Sequence, residues 1–287
     1  MGKKKRKGRK RDSSSSSSST FQSTAAPFPE RLNVLLFDKP PVSKDVALKH
    51  AWNINDRSLN IRVNKDDETV ITRKPVCQST DCIRGKMGYS EGLHLWEINW
   101  PTEERGTHAV VGVATKKAAP LHYCRGYRSL VGGDDQSWGW DLGRNKLYHR
   151  GEGENPFYPS SDDKKNFLVP DKFYVALDMD QGTLAFVANN EYLGIAFRGL
   201  KGERLFPIVS IVWGNCQISI RYIGGLDPEP SLLTDLCRRT IRRRVVDKTE
   251  RKMREGFKFL PEIIIRYLLY KEEEEEEEEE KEENDDK

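Results

Sequence analysis

From about residue 30 to residue 224 the apolar residues come in short β-branched and aromatic runs, separated by Gly, Asp, Asn or Pro. This is the pattern of an antiparallel all-β domain. In His94-Leu95-Trp96-Glu97-Ile98-Asn99-Trp100, the residues Trp96, Ile98 and Trp100 recur every second position, which places them on one face of a strand. Thr183 to Phe197 alternates in the same way and breaks at Asn189-Asn190. Asp180-Gln181-Gly182 and Asn189-Asn190-Glu191 supply residues that tolerate positive φ, so the spacing predicts a hairpin or meander over Tyr174 to Leu193. Val110-Val111-Gly112-Val113-Ala114 is apolar on both faces and predicts a central, covered strand, whereas Gln217 to Ile223 alternates as the last strand. A two-sheet β-sandwich buries both kinds of strand.

After Tyr222 the period changes from two to three and four. Asp227-Pro228-Glu229-Pro230 reads as a stiff acidic linker and Ser231 as a helix N-cap; Leu232, Leu233, Leu236, Cys237, Thr240 and Ile241 then form one helical stripe. A basic stretch runs from Arg238 to Lys258, and Pro261 opens a last helix in which Ile263, Ile264, Ile265, Tyr267, Leu268, Leu269 and Tyr270 are apolar on nearly every face. Short helices of this apolarity cannot bury all their surface against one another. They either pack back onto the sandwich or await a partner protein.

Composition adds two tails to this picture. The chain has 287 residues, of which 32% are charged, and its mean hydropathy of −0.73 owes much to the ends. Residues 1–29 begin with a basic cluster (Lys3 to Arg11) and a serine run (Ser13 to Ser19), and residues 271–287 are an acidic run. Neither can bury enough apolar area to offset its ordering entropy, so both are expected to be disordered. Removing the densest parts of these tails leaves a body that is only mildly basic, so nucleic acid is not the expected partner. No run of about 18 apolar residues suggests a membrane span, and Arg6 stands where myristoylation requires Ser or Thr. The expected location is cytoplasmic, with nuclear entry through the basic cluster as a second expectation. Cys77, Cys82, Cys124, Cys216 and Cys237 are odd in number and scattered, which predicts reduced thiols and no zinc shell.

Candidate chemistry is sparse. Gly88-Tyr89-Ser90-Glu91-Gly92 matches the G-x-S-x-G elbow literally, but an alternating strand follows it where a nucleophile elbow needs a helix. There is no Walker loop, no dinucleotide fingerprint and no H-E-x-x-H. The five histidines are scattered and read as structural or surface groups. A non-catalytic binding protein with no cofactor is expected. Trp138-Gly139-Trp140 and Val212-Trp213-Gly214 set tryptophans beside glycines, which suits core positions or rigid pocket walls.

Several blocks carry a family likeness: Asp56-Arg57-Ser58-Leu59-Asn60, Gln78-Ser79-Thr80-Asp81 with Ile83-Arg84-Gly85-Lys86, Arg105 to Thr115, Ser137-Trp138-Gly139-Trp140-Asp141, and Phe197 to Gly202. Over about 30–270 the chain resembles the SPRY domain-containing SOCS box proteins, the GUSTAVUS-like family. The resemblance implies a mainly β architecture, a bent antiparallel two-sheet SPRY sandwich over 30–226 followed by a small all-α SOCS box over 227–270. It further implies a substrate-recognition subunit of an elongin–cullin–RING ubiquitin ligase.

The same resemblance assigns residues. Leu233, Cys237 and Ile241 match the stripe that enters elongin C in an elongin B and C adaptor; Leu260, Pro261, Ile264, Tyr267 and Leu268 match the box contacted by cullin 5, with a RING protein as a further implied partner. Lys258-Phe259-Leu260-Pro261 stands where the family has Leu-Pro-Leu-Pro. Arg73, Pro75, Gln78, Thr107, Tyr127, Leu130, Val212 and Trp213 match the positions that hold a short extended peptide of the type Asp/Glu-hydrophobic-Asn-Asn-Asn. Such a peptide carries amides that each need a donor and an acceptor. An unpaired buried group costs about 1–3 kcal/mol, which would make a polar pocket with aromatic walls selective.

Overall fold

The computed structural model describes residues 28–118, 121–151, 155–160 and 167–271. The expected disordered tails fall almost wholly outside these residues. Fourteen strands are found among them: β1 (Trp52–Arg57), β2 (Ile61–Val63), β3 (Val70–Arg73), β4 (Thr80–Gly85), β5 (Leu93–Asn99), β6 (Val110–Ala114), β7 (His122–Tyr123), β8 (Ser137–Asp141), β9 (Lys146–Tyr148), β10 (Lys172–Asp178), β11 (Thr183–Ala188), β12 (Glu191–Arg198), β13 (Phe206–Ile211) and β14 (Gln217–Leu226). One sheet runs β1-β4-β13-β6-β8-β9, with β7 paired to β4; the other runs β12-β11-β10-β5-β14-β3-β2. The pairings within both sheets are antiparallel.

The predicted strands are present where the pattern put them. In β5, Trp96 and Ile98 are buried while Glu97 and Asn99 are half-buried, and Trp100 follows as a buried residue. β6 is buried throughout because it sits between β13 and β8 and is covered on both faces. The meander β10-β11-β12 turns at Gly182 and at Asn189-Asn190, all three with positive φ. Gly88 to Gly92 is a loop entering β5, so the elbow-like motif has no following helix. Trp52, Trp96, Trp140, Phe173 and Phe186 form the bulk of the core between the sheets.

Residues 30–49 depart from the strand expectation. α1 (Glu30–Asn33) continues into a π-helical turn over Val34–Asp38, and α2 (Lys44–Lys49) follows. Leu32, Val34 and Leu35 cover Leu93, Leu95, Ala176, Ala185 and Val187 on the outer face of the second sheet. The outer face of the first sheet is covered by the segment containing Leu130 and Val131, against Cys82, Val110, Ala114 and Ile208. Each sheet is thus apolar on both faces, which accounts for fully buried strands such as β4 and β11.

Beyond β14 come α3 (Leu233–Arg243), α4 (Glu250–Gly256) and α5 (Glu262–Leu268). Ser231 is not the cap of α3: Leu232 occupies that position, with no side-chain hydrogen bond. Pro261 does precede the last helix. Met253, Ile265, Leu268 and Leu269 form a small core of their own.

Candidate functional site

The candidate residues fall on two surfaces, and the first lies where β3 ends, β4 begins and β13 turns into β14. Its base is the fully buried pair Arg73 and Asp81, with Arg73 Nε donating to Asp81 Oδ2 at 2.7 Å. Asp81 also accepts from Ser58 (2.5 Å), Ser79 (2.9 Å), Asn60 (3.0 Å) and His122 (2.8 Å). Burial works against this carboxylate, yet hydrogen bonds from Ser58, His122, Arg73 and Ser79 hold its pKa below the ordinary value. Arg73 therefore does not stand on the surface. Its guanidinium donates to the carbonyls of Lys74, Val76 and Ser79, fixing the loop that carries Pro75 and Gln78.

That loop is clamped from outside as well. Gln78, at positive φ, donates its amide to the Tyr127 hydroxyl at 3.1 Å, and its carbonyl accepts from the Gly126 amide at 3.0 Å. Pro75 abuts the next loop so closely that a Cβ on Gly214 would lie 2.7 Å from the Pro75 Cα. Trp213 in turn lies over Gly106, where a Cβ would come within 3.1 Å of its ring. Thr107 follows, and its carbonyl accepts from Arg144. Pro75, Gln78, Thr107, Tyr127 and Trp213 are exposed, with Tyr127 and Trp213 retaining 46% and 49% of their accessible surface. Large aromatic rings left this open on rigid backbone are suited to covering a ligand. Leu130 and Val212 are buried beneath them, at 5% and 7% exposure; Leu130 donates its amide to Ser210 at 3.3 Å.

The second surface is α3. Its apolar stripe points outward: Leu233 is 75% exposed, Leu236 47% and Ile241 38%, and Cys237 is exposed beside them. Arg238, Arg239 and Arg242 are buried instead. Arg238 lies 3.6 Å from the centre of the Tyr267 ring and 4.5 Å from that of Tyr270. Arg242 donates to the Leu268 carbonyl (2.6 Å), the Asp38 carbonyl (2.8 Å) and the Asp38 carboxylate (3.2 Å), which Lys248 also reaches at 2.6 Å. In α5 and just before it, Pro261 and Ile264 are exposed, Leu260 and Tyr267 are half-buried, and Leu268 is in the module's own core. The five residues therefore do not share one open face. Asp38 and Arg242, which tie the helices to the sandwich, carry no sequence signal beyond opposite charge 204 positions apart.

Among known proteins, the SPRY domain model matches residues 93–222. Gustavus of Drosophila melanogaster is 59% identical over 245 residues, covering 85% of this chain and 86% of that protein. The chain belongs to the SPRY domain-containing SOCS box protein family. Within that family, SPRY domain-containing SOCS box protein 1 of Homo sapiens is 59% identical over 216 residues (75% of this chain, 78% of that one). SPRY domain-containing SOCS box protein 2 of Homo sapiens is 48% identical over 244 residues (85% and 90%). The resemblance read from the sequence blocks and the two-sheet fold agree with this membership.

Proposed function

We propose that this chain is the substrate-recognition subunit of an elongin B and C, cullin 5 and RING ubiquitin ligase and performs no bond chemistry itself. The loops around Tyr127 and Trp213 capture an Asp/Glu-hydrophobic-Asn-Asn-Asn peptide of the target, and the helical module is the SOCS box. The supporting observation is the orientation of α3. A helix packed on a soluble domain ordinarily turns its apolar residues inward and its arginines outward; here Leu233, Leu236, Cys237 and Ile241 face out while Arg238, Arg239 and Arg242 are buried. An outward apolar stripe of this kind fits an apolar groove on an adaptor, with Leu233, Cys237 and Ile241 as the inserted residues. For the cullin, Pro261 and Ile264 offer the direct contacts, while Leu268 holds α5 in place from within. Ligation would follow from tethering, since a captured target sits at high effective concentration near the conjugating enzyme.

Co-expression with elongins B and C tests the reading. The full chain is expected to co-purify with both, and Leu233→Asp with Cys237→Asp is expected to lose them while keeping the wild-type melting temperature, because both side chains are exposed. A wild-type chain that remains alone when the elongins are offered removes the ligase role. A nucleic-acid reading of Arg242-Arg243-Arg244 has less support, since Arg242 is committed to Asp38 and Arg243 to Glu30.

A further inference from the structure

Tyr127 borders a second feature, a polar cavity of about 590 Å³ whose lining includes His108, Arg128, Gly133, Arg144 and Arg150. No carboxylate lines it among the described residues. Two neighbouring acids already have partners: Asp141 is fully buried and accepts from Arg144 and Tyr148 of the lining and from the Gly143 amide, while Asp134 accepts from Ser137 at 2.6 Å. Arg128 and Arg150 form no ion pair with a described residue. Arg128 instead lies over the Tyr123 ring at 4.8 Å.

The backbone beneath these arginines is preset. Gly151 donates to the Gly132 carbonyl at 2.9 Å and Arg150 to the Asp134 carbonyl at 2.8 Å. Both Arg150 and Gly151 have positive φ, and a Cβ on Gly151 would lie 2.6 Å from the Gly133 carbonyl oxygen. A ligand therefore meets positive charge on a framework that needs little ordering. Arg144 is paired with Asp141, but Arg128 and Arg150 have no carboxylate partner among the described residues, and guanidinium groups so placed in a concave site attract anions and match the oxygen geometry of a phosphoryl group. Burial first, and then the Arg144 charge, depress the pKa of His108 against the opposing charge of Asp141.

We propose that this cavity is an anion subsite continuous with the peptide site, receiving a phosphorylated serine or threonine that flanks the recognition motif in the target. The inference rests on the peptide reading above and deepens it: target capture becomes dependent on phosphorylation next to the motif. Glu152 and Glu154 follow Arg150 in the sequence, outside the described residues.

Fluorescence polarisation with the full chain at 0.15 M salt tests it, using peptides with an Asp-Leu-Asn-Asn-Asn core and a Ser, Glu or phosphoserine placed at successive positions beyond either end. At one of these positions the phosphoserine peptide is expected to bind about tenfold tighter than the Ser peptide, with Glu between them. In the Arg128→Ala, Arg150→Ala double variant that advantage disappears, while the Ser peptide stays within about twofold of wild type. Equal binding of all three at every position overturns the subsite and leaves the peptide reading standing. If no peptide binds, the peptide reading fails, and inorganic phosphate followed at the Gly133 and Gly151 amides by NMR decides the cavity alone. Shifts that vanish in the double variant support an anion site there, and no shifts overturn it.

Discussion

Asp81 organises the start of β4 by accepting five side chains at once, and Arg73 passes that order to the loop bearing Pro75 and Gln78. Asp81→Asn leaves a buried guanidinium without its counter-ion, so stability is expected to fall by about 3–5 kcal/mol, read as a shift in urea midpoint. Tyr127→Ala and Trp213→Ala act differently, because both rings are open to solvent. Each is expected to weaken peptide binding by about 2–4 kcal/mol in calorimetry with little loss of stability; unchanged affinity in both would remove the pocket. Two half-buried histidines set a pH dependence. Burial lowers the pKa of His50 to about 4, helped by the charges of His94 and Lys49, and burial lowers that of His94 to about 4. Both groups keep the proton off in the fold, while the unfolded chain takes it up near 6.5. Their contribution is complete above 6.5 and is lost as pH falls from there toward 4. The denaturant midpoint is expected to drop across this window and to drop less in His94→Gln; a flat profile in the wild type would contradict it. Asp81 has the depressed pKa of a stabilised carboxylate, so its contribution survives this window and is lost only below the usual carboxylate range.

At the scale of elements, α3 is the helix whose periodicity was plain but whose orientation was not. The stripe Leu233, Leu236, Cys237 and Ile241 is legible at three- and four-residue spacing, yet spacing says only that these residues share a face, not whether the face is covered. What turns it outward is the opposite face, where Arg238 stacks on tyrosines and Arg242 bonds Asp38 and the end of α5. Arg242→Ala is therefore expected to loosen the module by about 1.5–3 kcal/mol, the value of charged hydrogen bonds. Amide exchange in α3 and α5 is expected to rise while the strands of the sandwich stay protected; unaltered exchange in both helices would show that the anchor lies elsewhere. The N-terminal cover teaches a similar lesson. Leu32, Val34 and Leu35 belong to a short apolar run that periodicity cannot divide between strand and helix, and their helical form follows from lying across a sheet whose edge they do not extend.

For the whole molecule, the loops proposed to hold the peptide and the outward face of α3 share no side-chain partner among the described residues. The loops hang on Asp81, whereas α3 hangs on Asp38 beyond the other sheet. Target capture and adaptor docking are expected to be energetically independent. Peptide affinity measured with and without bound elongins is predicted to agree within about 0.5 kcal/mol, and Trp213→Ala combined with Leu233→Asp to show additive effects. A larger coupling would mean that the module shifts against the sandwich when the adaptor binds.

The strand periods, the Asn and Gly turns and the switch to helical spacing after Tyr222 were determined by the sequence alone, because each follows from local backbone geometry and side-chain alternation. The family blocks also pointed to the loops around Tyr127 and Trp213. Only the tertiary structure decided which of those residues meet solvent. Arg73, Leu130 and Leu268 were indistinguishable in the sequence from surface ligands, and their burial is set by contacts far along the chain. The pairing of Asp38 with Arg242 and the gathering of Arg128, Arg144 and Arg150 about one cavity arise in the same way, since charge at a position is local while its partner is chosen by how distant segments pack.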